Sequence, residues 1–399
     1  MDAIISQLGG NFIIAGSEKW DCSSKTCKHH LVREFARRGA RVLYVENISM
    51  RRIGSMGSMD YRKVVDELGR FFRGVSSPMD NVFCLNPLYL PFPHSKAARQ
   101  FNTLILSSLI KFHARRLGIR HPVFMYFMPT GLMLQGRLHE RLSAYYITDN
   151  YTAFADLEHD VVGRLERKAL QTADVVFATA KTLAEDRSHL RPDIHFSPHG
   201  VEAEHFAAAQ TDATRVPDEV ATIPRPRIGF MGGLGPDYVD LDLFIDLARR
   251  RRDWNFVLIG RQFSDISHLL AEPNIRFLGP KLYEDLPGYL KGFDVALIPF
   301  LTNNLTRDVN PIKLREYLAA GLPVVGTDLP PIRVYDKHVR LATDRDGYER
   351  AIADALANPG NPAERQAAVA GESWSSRAEA VLKVLAESHA IKYKGGGFC

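Results

Sequence analysis

The sequence predicts two α/β domains of the doubly wound, parallel-sheet kind, joined by a short linker. Three observations predict it. Short β-branched or aromatic runs alternate with longer helical patterns along the whole chain. The alternation breaks after Val201 and restarts at Arg227. A chain of 399 residues with 45% hydrophobic content is large enough for two sizeable cores.

In the first half, strands are expected at Asn11–Ala15, Arg41–Val45, Asn81–Leu85, Val123–Phe127, Ala144–Thr148 and Val175–Ala178. Helical stretches lie between them, such as Thr26–Arg38, whose basic last turn is followed by the glycine stop Gly39. The first domain is placed at 1–203. Residues 204–226 are rich in Ala, Thr and Pro without sustained periodicity and read as a linker. The second domain, 227–376, has expected strands at Arg227–Met231, Asn255–Ile259, Ile275–Phe277, Val295–Pro299 and Pro323–Thr327. Residues 377–399 read as a closing helix, Arg377–His389, and a flexible glycine-rich tail from Lys392.

No apolar stretch approaches the roughly 18–20 residues needed to span a bilayer, and the first ten residues lack the pattern of a signal peptide. A cytoplasmic location is expected. The four cysteines, Cys22, Cys27, Cys84 and Cys399, are too few to staple such a chain and are expected as thiols. The net charge of +5 is uneven: residues 51–120 hold twelve Lys and Arg against four Asp and Glu. Such an excess suits an anionic partner, at a membrane face or on a phosphorylated acceptor. No nucleic-acid-binding motif accompanies it, and no nucleic-acid partner is expected.

The most informative segment runs from Asp308 to Val325 and reads as loop, helix and buried strand. Asn310 suits an N-cap and Pro311 the first helical position, so the free amides of this helix start could attract phosphate. Lys313 adds a positive charge, and Glu316 a carboxylate able to accept both hydroxyls of a ribose. A capped helix with a surface Lys–Glu pair is the bland alternative. Gly232 and Gly233 follow a strand and would let backbone approach a diphosphate, although G-x-G-x-x-G is not satisfied. Arg261 also follows a strand and could neutralise charge on a leaving diphosphate.

In the first half, Trp20 and Asp21 follow the first strand and are candidates for acceptor binding. Asp149 ends a Tyr-rich strand, where a base for an acceptor hydroxyl would be needed. Cys22-x4-Cys27-x-His29-His30 matches no standard zinc spacing, and no metal is assigned to it. Phe101, Leu104, Ile105, Leu109 and Phe112 share a helical face flanked by Lys96, Arg99, Lys111, Arg115, Arg116 and Arg120. This stripe is either core packing or a membrane-surface face.

Asp308-x7-Glu316, followed by Ala-Ala-Gly-Leu-Pro-Val-Val, resembles the E-x7-E segment of the large glycosyltransferase group with two facing domains, with Asp in place of the first Glu. Ser197-Pro-His-Gly-Val201, Gly229-Phe-Met-Gly-Gly233, Leu258-Ile-Gly-Arg261 and Asp294-Val-Ala-Leu-Ile-Pro-Phe300 agree with that group in order. The resemblance implies the GT-B fold: two Rossmann-like doubly wound parallel-sheet domains facing a cleft. It implies transfer of a sugar from a UDP- or GDP-sugar to a saccharide or lipid-linked acceptor, without a metal or other cofactor. By the same resemblance Glu316 holds the donor ribose and Asp308 sits by the transferred sugar, in a donor site that also takes in Gly232, Gly233, Arg261, Asn310 and Lys313.

Tyr145 to Tyr151 is similar to the strand end that carries the catalytic Asp in the xanthan-pathway glucuronosyltransferase, which implies that Asp149 is the base. A lipid-linked acceptor would suit a cytoplasmic protein whose basic residues leave room for a peripheral position at the inner face of the membrane. E-x7-E families are mostly retaining, whereas a base at Asp149 implies inversion, and the sequence leaves both open. It also leaves open a nucleotide-sugar 2-epimerase or a non-catalytic sugar-binding relative on the same fold.

Overall fold

The computed structural model describes residues 2–22, 25–46, 69, 74–87, 96–154 and 159–394. It divides into two compact units, one comprising Met1–Pro198 with Arg377–Cys399 and the other His199–Ser376.

The first unit is built on an eight-stranded sheet. Its strands are β1 (Asn11–Ala15), β2 (Arg41–Val45), β3 (Val75–Met79), β4 (Val82–Leu85), β5 (Val123–Tyr126), β6 (Leu142–Ile147), β7 (Val175–Ala178) and β8 (His195–Phe196). The order is β3-β4-β2-β1-β5-β6-β7-β8, and every pairing is parallel except β3 with β4. The central strands are buried on both faces, because helices cover both sides. That is why they read as continuous apolar runs rather than alternating ones.

The second unit holds β9 (Arg227–Met231), β10 (Asn255–Ile259), β11 (Ile275–Phe277), β12 (Val295–Ile298), β13 (Val324–Thr327) and β14 (Val339–Ala342) in the order β11-β10-β9-β12-β13-β14. All are parallel. In both sheets the chain winds one way, returns to the middle and winds the other. The reversal falls between β1 and β5 in the first unit and between β9 and β12 in the second. In open α/β sheets, the carboxyl ends of the strands flanking this reversal are where ligands bind.

Residues 204–226 are not a linker. They form helices Ala203–Ala207 and Asp218–Ala221, and Phe206, Ala209, Val220 and Ile223 enter the core of the second unit. Burying a residue such as Phe206 stabilises by about 1.5–3 kcal/mol, and helices of one turn are too short to show a period in the sequence. The chain divides at Pro198–His199 instead. The closing helix is longer than expected, Trp374–Lys394, and from Arg377 onward it belongs to the first unit. Beyond Lys394 the tail lies outside the described residues, as do most of residues 51–95 with their share of the basic excess.

Candidate functional site

In the second unit the strand ends beside the reversal are closely knit. β12 pairs with β9 only at Val295–Ile228 and Ala296–Gly229, after which the two strands part. The gap is filled by Tyr317 of the helix Ile312–Ala319, whose hydroxyl accepts from the Met231 amide at 2.7 Å. Gly232 follows at once, and its amide donates to the Ile259 carbonyl of β10 (2.8 Å). At Gly260, φ is +140°, and a Cβ there would collide with the Gly232 carbonyl, so the two turns need glycine to approach. Leu234 donates to the Arg261 carbonyl (2.8 Å). The turns after β9 and β10 therefore bring Gly232, Gly233 and Arg261 together. Arg261 is exposed, with its guanidinium over the Phe263 ring.

The loop after β12 is tied to the same place. Asp240 donates to the Pro299 carbonyl and Leu301 to that of Tyr238, both at 2.8 Å. The helix Ile312–Ala319 begins one residue later than expected: Pro311 takes the N-cap position, and no side chain among the described residues caps the helix. Asn310 is not the cap. Its side-chain oxygen accepts from Arg315 (2.6 Å), which also pairs with Glu372 (2.7 Å). An arginine one turn along the helix outcompetes the local amides, because a charged donor makes the stronger bond.

Glu316 is buried, and its Oε2 lies 2.8 Å from Lys313 Nζ, although among the described residues it accepts no hydrogen bond of good geometry. The Lys–Glu pair therefore forms, with its carboxylate buried and its lysine partly exposed. Asp308 does not lie in a loop. It ends the helix Asn304–Asp308, is fully buried and pairs with Arg307 (3.1 Å). Its carboxylate is enclosed where that of Glu316 is only half committed.

In the first unit the loop after β1 is packed onto β2. Gly16 leaves room for the Tyr44 ring, whose hydroxyl donates to the Glu18 carbonyl (3.0 Å). Glu18 pairs with the buried Lys28 (2.6 Å) and accepts from Thr26 (3.2 Å). Burial pushes its carboxyl up, but Lys28 overrides this and leaves it below the usual range. The half-buried Trp20 packs against His29 and Tyr44 and donates its amide to Glu46 (2.8 Å), while Asp21 is exposed. The expected acceptor contacts thus divide into a packed aromatic ring and an open carboxylate.

His29 is neutral. Its Nδ1 accepts from the Thr26 amide (3.2 Å), which leaves the proton on Nε2 to be donated to the Lys19 carbonyl (3.1 Å), and burial lowers its pKa to about 4. Cys22 lies 3.7 Å from His29, Cys27 is buried with its thiol pushed up to about 12, and Cys22, Cys27 and Cys84 are free thiols. Among the described residues, no group of three His, Cys, Asp or Glu is arranged to hold a metal ion.

Asp149 lies two residues beyond β6 and is half-buried. Burial holds its carboxyl above the ordinary range against the opposing pull of Lys28 and a hydrogen bond with Thr148. Lys28 stands over the Phe127 ring just past β5, and Tyr151 donates to the Phe127 carbonyl (3.0 Å). Behind this loop, the buried pair Arg187–Glu166 (3.0 Å) reaches Asn150. Asp149, Lys28 and Glu18 thus form one electrostatic group at the β1–β5–β6 strand ends. Asp149 is a candidate legible in the sequence; the ion pair is not, because Glu18 and Lys28 are ten residues apart, across a loop without periodicity.

Residues 225–358 match the family described as glycosyl transferases group 1. That stretch lies within the second unit, and the fold is GT-B. Over 194 residues it is 30% identical to the "Putative teichuronic acid biosynthesis glycosyltransferase TuaH" of Bacillus subtilis (strain 168), covering 46% of this chain and 48% of that one. The match therefore spans about half the length of that relative. Among solved structures, sucrose-phosphate synthase from Thermosynechococcus elongatus superposes with a TM-score of 0.63 at 13% identity, over 96% of this chain and 98% of the other. HepE of Anabaena, solved in complex with UDP and glucose, gives 0.59 at 12% identity over the same shares. The α,α-trehalose-phosphate synthase of Burkholderia vietnamiensis gives 0.64 at 13% identity, over 96% and 99%. These likenesses establish the fold. Among the described residues, no helix is long and apolar enough to cross a membrane.

Proposed function

We propose that the protein is a glycosyltransferase that moves a sugar from a UDP- or GDP-sugar, held by the second unit, to a saccharide or lipid-linked acceptor held by the first. The product belongs to a cell-surface polysaccharide or glycoconjugate. One observation carries the reading: a buried carboxylate, Glu316, with an oxygen that accepts no well-directed hydrogen bond from the described residues, stands beside Lys313 near the start of a helix at the sheet reversal. A buried acceptor of this kind is costly unless a ligand satisfies it, and ribose hydroxyls are donors of the right kind.

In this reading the amides of Gly232 and Gly233, the start of the helix Ile312–Ala319, Lys313 and Arg261 oppose the diphosphate charge and stabilise it as it leaves. The donor site then has no need of a metal. Asp308 acts from behind, as the buried anchor of Arg307. Asp149 takes the proton of the acceptor hydroxyl, its raised pKa being closer to the operating pH of a base, and Lys28 holds its charge; attack so assisted inverts the anomeric carbon. Trp20 and Asp21 border the acceptor. The enzyme works in the cytoplasm, held peripherally at an anionic membrane face by the basic region 51–120.

The test is a screen of UDP- and GDP-sugars for thermal stabilisation, since a donor that binds only the native state raises the melting temperature by mass action. Stabilisation by one such donor and release of its nucleotide only when acceptor is present are expected. Donor turnover to an epimer without acceptor, or no stabilisation by any nucleotide sugar, refutes the assignment.

A further inference from the structure

The helix Lys96–Arg116 carries large apolar residues on its outward side as well as on its buried one. The side packed on the first unit buries Asn102, Thr103 and Ser107 together with Leu106, Ile110 and Ala114. The side turned outward carries Phe101, Leu104, Ile105 and Phe112, with 50, 60, 42 and 52% of their surface exposed. These four fall at i, i+3, i+4 and i+11, so they form one stripe. A helix on a water-exposed surface keeps its outer side polar, and a run of exposed large apolar residues marks an interaction face.

The same stripe continues into charge. Arg115 and Arg116 are exposed, Lys111 is half-buried beside Phe112, and Arg120 follows the helix. Ser108, Lys111, Phe112, Arg115 and Arg116 line a shallow open groove, and the Arg116 guanidinium stands over the Phe112 ring. No Asp or Glu occurs from Lys96 to Arg120. An apolar half that enters an acyl layer and a cationic half that meets phosphate are the two signals stable peripheral anchoring needs.

We propose that the outward face of the helix Lys96–Arg116 lies in the surface of an anionic lipid bilayer, with Leu104, Ile105 and their aromatic neighbours inserted and Lys111, Arg115 and Arg116 on the lipid phosphates. This deepens the peripheral placement proposed above by naming the element that makes the contact, and it rests on that placement. The helix carries none of the donor or acceptor residues named above, so the two can fail independently.

The experiment is co-sedimentation of the full chain with vesicles of phosphatidylcholine alone and of phosphatidylcholine mixed with phosphatidylglycerol, with UDP- and GDP-sugar binding measured without vesicles as the control. Wild type is expected on the mixed vesicles only. Arg115→Gln with Arg116→Gln should weaken that binding about 30-fold, and Leu104→Ser with Ile105→Ser by at least about 10-fold. Both variants should keep the wild-type donor affinity and melting temperature. Equal binding to both vesicle types, or serine variants that bind like wild type, overturns the proposal. So does a wild-type dimer that the serine variants convert to monomer, since the face would then belong to a second copy. If vesicle binding behaves as expected but no nucleotide sugar binds, the surface stands and the transferase reading falls.

Discussion

The Met231 amide donates to the Tyr317 hydroxyl at 2.7 Å, so the helix that carries Lys313 and Glu316 is fastened to the strand end from which Gly232 and Gly233 turn. The bond replaces a ladder contact that β9 loses when β12 diverges. Tyr317→Phe keeps the ring and leaves a buried amide unpaired, which costs about 1–3 kcal/mol. Loss of stability should be accompanied by weaker donor binding, because the two halves of the proposed phosphate site would no longer be held in register. Denaturant unfolding and donor titration check both; a less stable variant with unchanged donor affinity means that Tyr317 serves only the core.

Glu316→Ala should weaken donor binding by about 10- to 100-fold, the range expected when a hydrogen bond to a charged acceptor is lost. Its ion pair with Lys313 sets a condition on that expectation. Since Glu316 is buried and Lys313 partly exposed, the variant frees Lys313 to move towards the phosphates. The loss should therefore be larger for the nucleoside, which carries only the ribose, than for the nucleoside diphosphate. Titrating both ligands by calorimetry measures the difference, and equal affinities of wild type and variant for the nucleoside would remove the ribose assignment.

Transfer should continue in the presence of a chelator, since helix amides, Lys313 and Arg261 are proposed to carry the charge neutralisation that a metal supplies elsewhere. Initial rates with and without EDTA provide the check. Complete loss that Mg²⁺ or Mn²⁺ restores would show that these groups are not sufficient.

Most strands were legible because central parallel strands are buried on both faces, so β1, β2, β7, β9 and β10 stand where expected. β3 and β8 were not. β3 is an edge strand whose residues are mostly exposed, and β8 has only two residues. Residues 204–226 were misread for a related reason: Phe206 and Val220 are core residues on helices too short to show a 3.6-residue period. Glu316 and Asp149 could be named as candidates because each closes a recognisable segment. Lys28 could not, since a lysine in the first turn of a helix reads as solvated until the fold places Glu18 beside it. Asn310 misled because its capping propensity is local, whereas Arg315 and Glu372 are brought to it by the fold.

His29 should make the first unit sensitive to acid. Its pKa is lowered from 6.5 in the unfolded chain to about 4 in the native state by burial. A depressed pKa contributes stability that is present above 6.5 and lost as the pH falls through about 4, roughly 3 kcal/mol in all. His29→Gln can still accept from the Thr26 amide and cannot charge. Its unfolding free energy should fall less than that of wild type between pH 7 and pH 4. Parallel denaturant curves for the two proteins at both pH values would place the acid sensitivity elsewhere.

Asp149 gives the sharpest test, because its proposed role and its energetics make opposite demands on the same carboxylate. Burial raises its pKa despite Lys28, so the native state holds the proton more tightly than the unfolded chain does. The resulting contribution to stability is present below the ordinary carboxylate pKa and lost as the pH rises through the native one. At neutral pH the ionised group is therefore a burden, and the neutral isostere Asp149→Asn should melt a few degrees higher than wild type. The gain should shrink in acid. If the carboxylate is the base, the same variant should lose about 10²–10⁴ in turnover while donor affinity stays within a small factor. In the wild type, turnover should fall as acid protonates Asp149, with the midpoint above the ordinary carboxylate range. A variant that is more stable and nearly inactive, with donor binding intact, is what a base held in an unfavourable environment for its chemistry predicts. Should it keep more than about a tenth of the wild-type rate at saturating acceptor, Asp149 is not the base. The retaining reaction, which needs no protein base, would then describe the enzyme better.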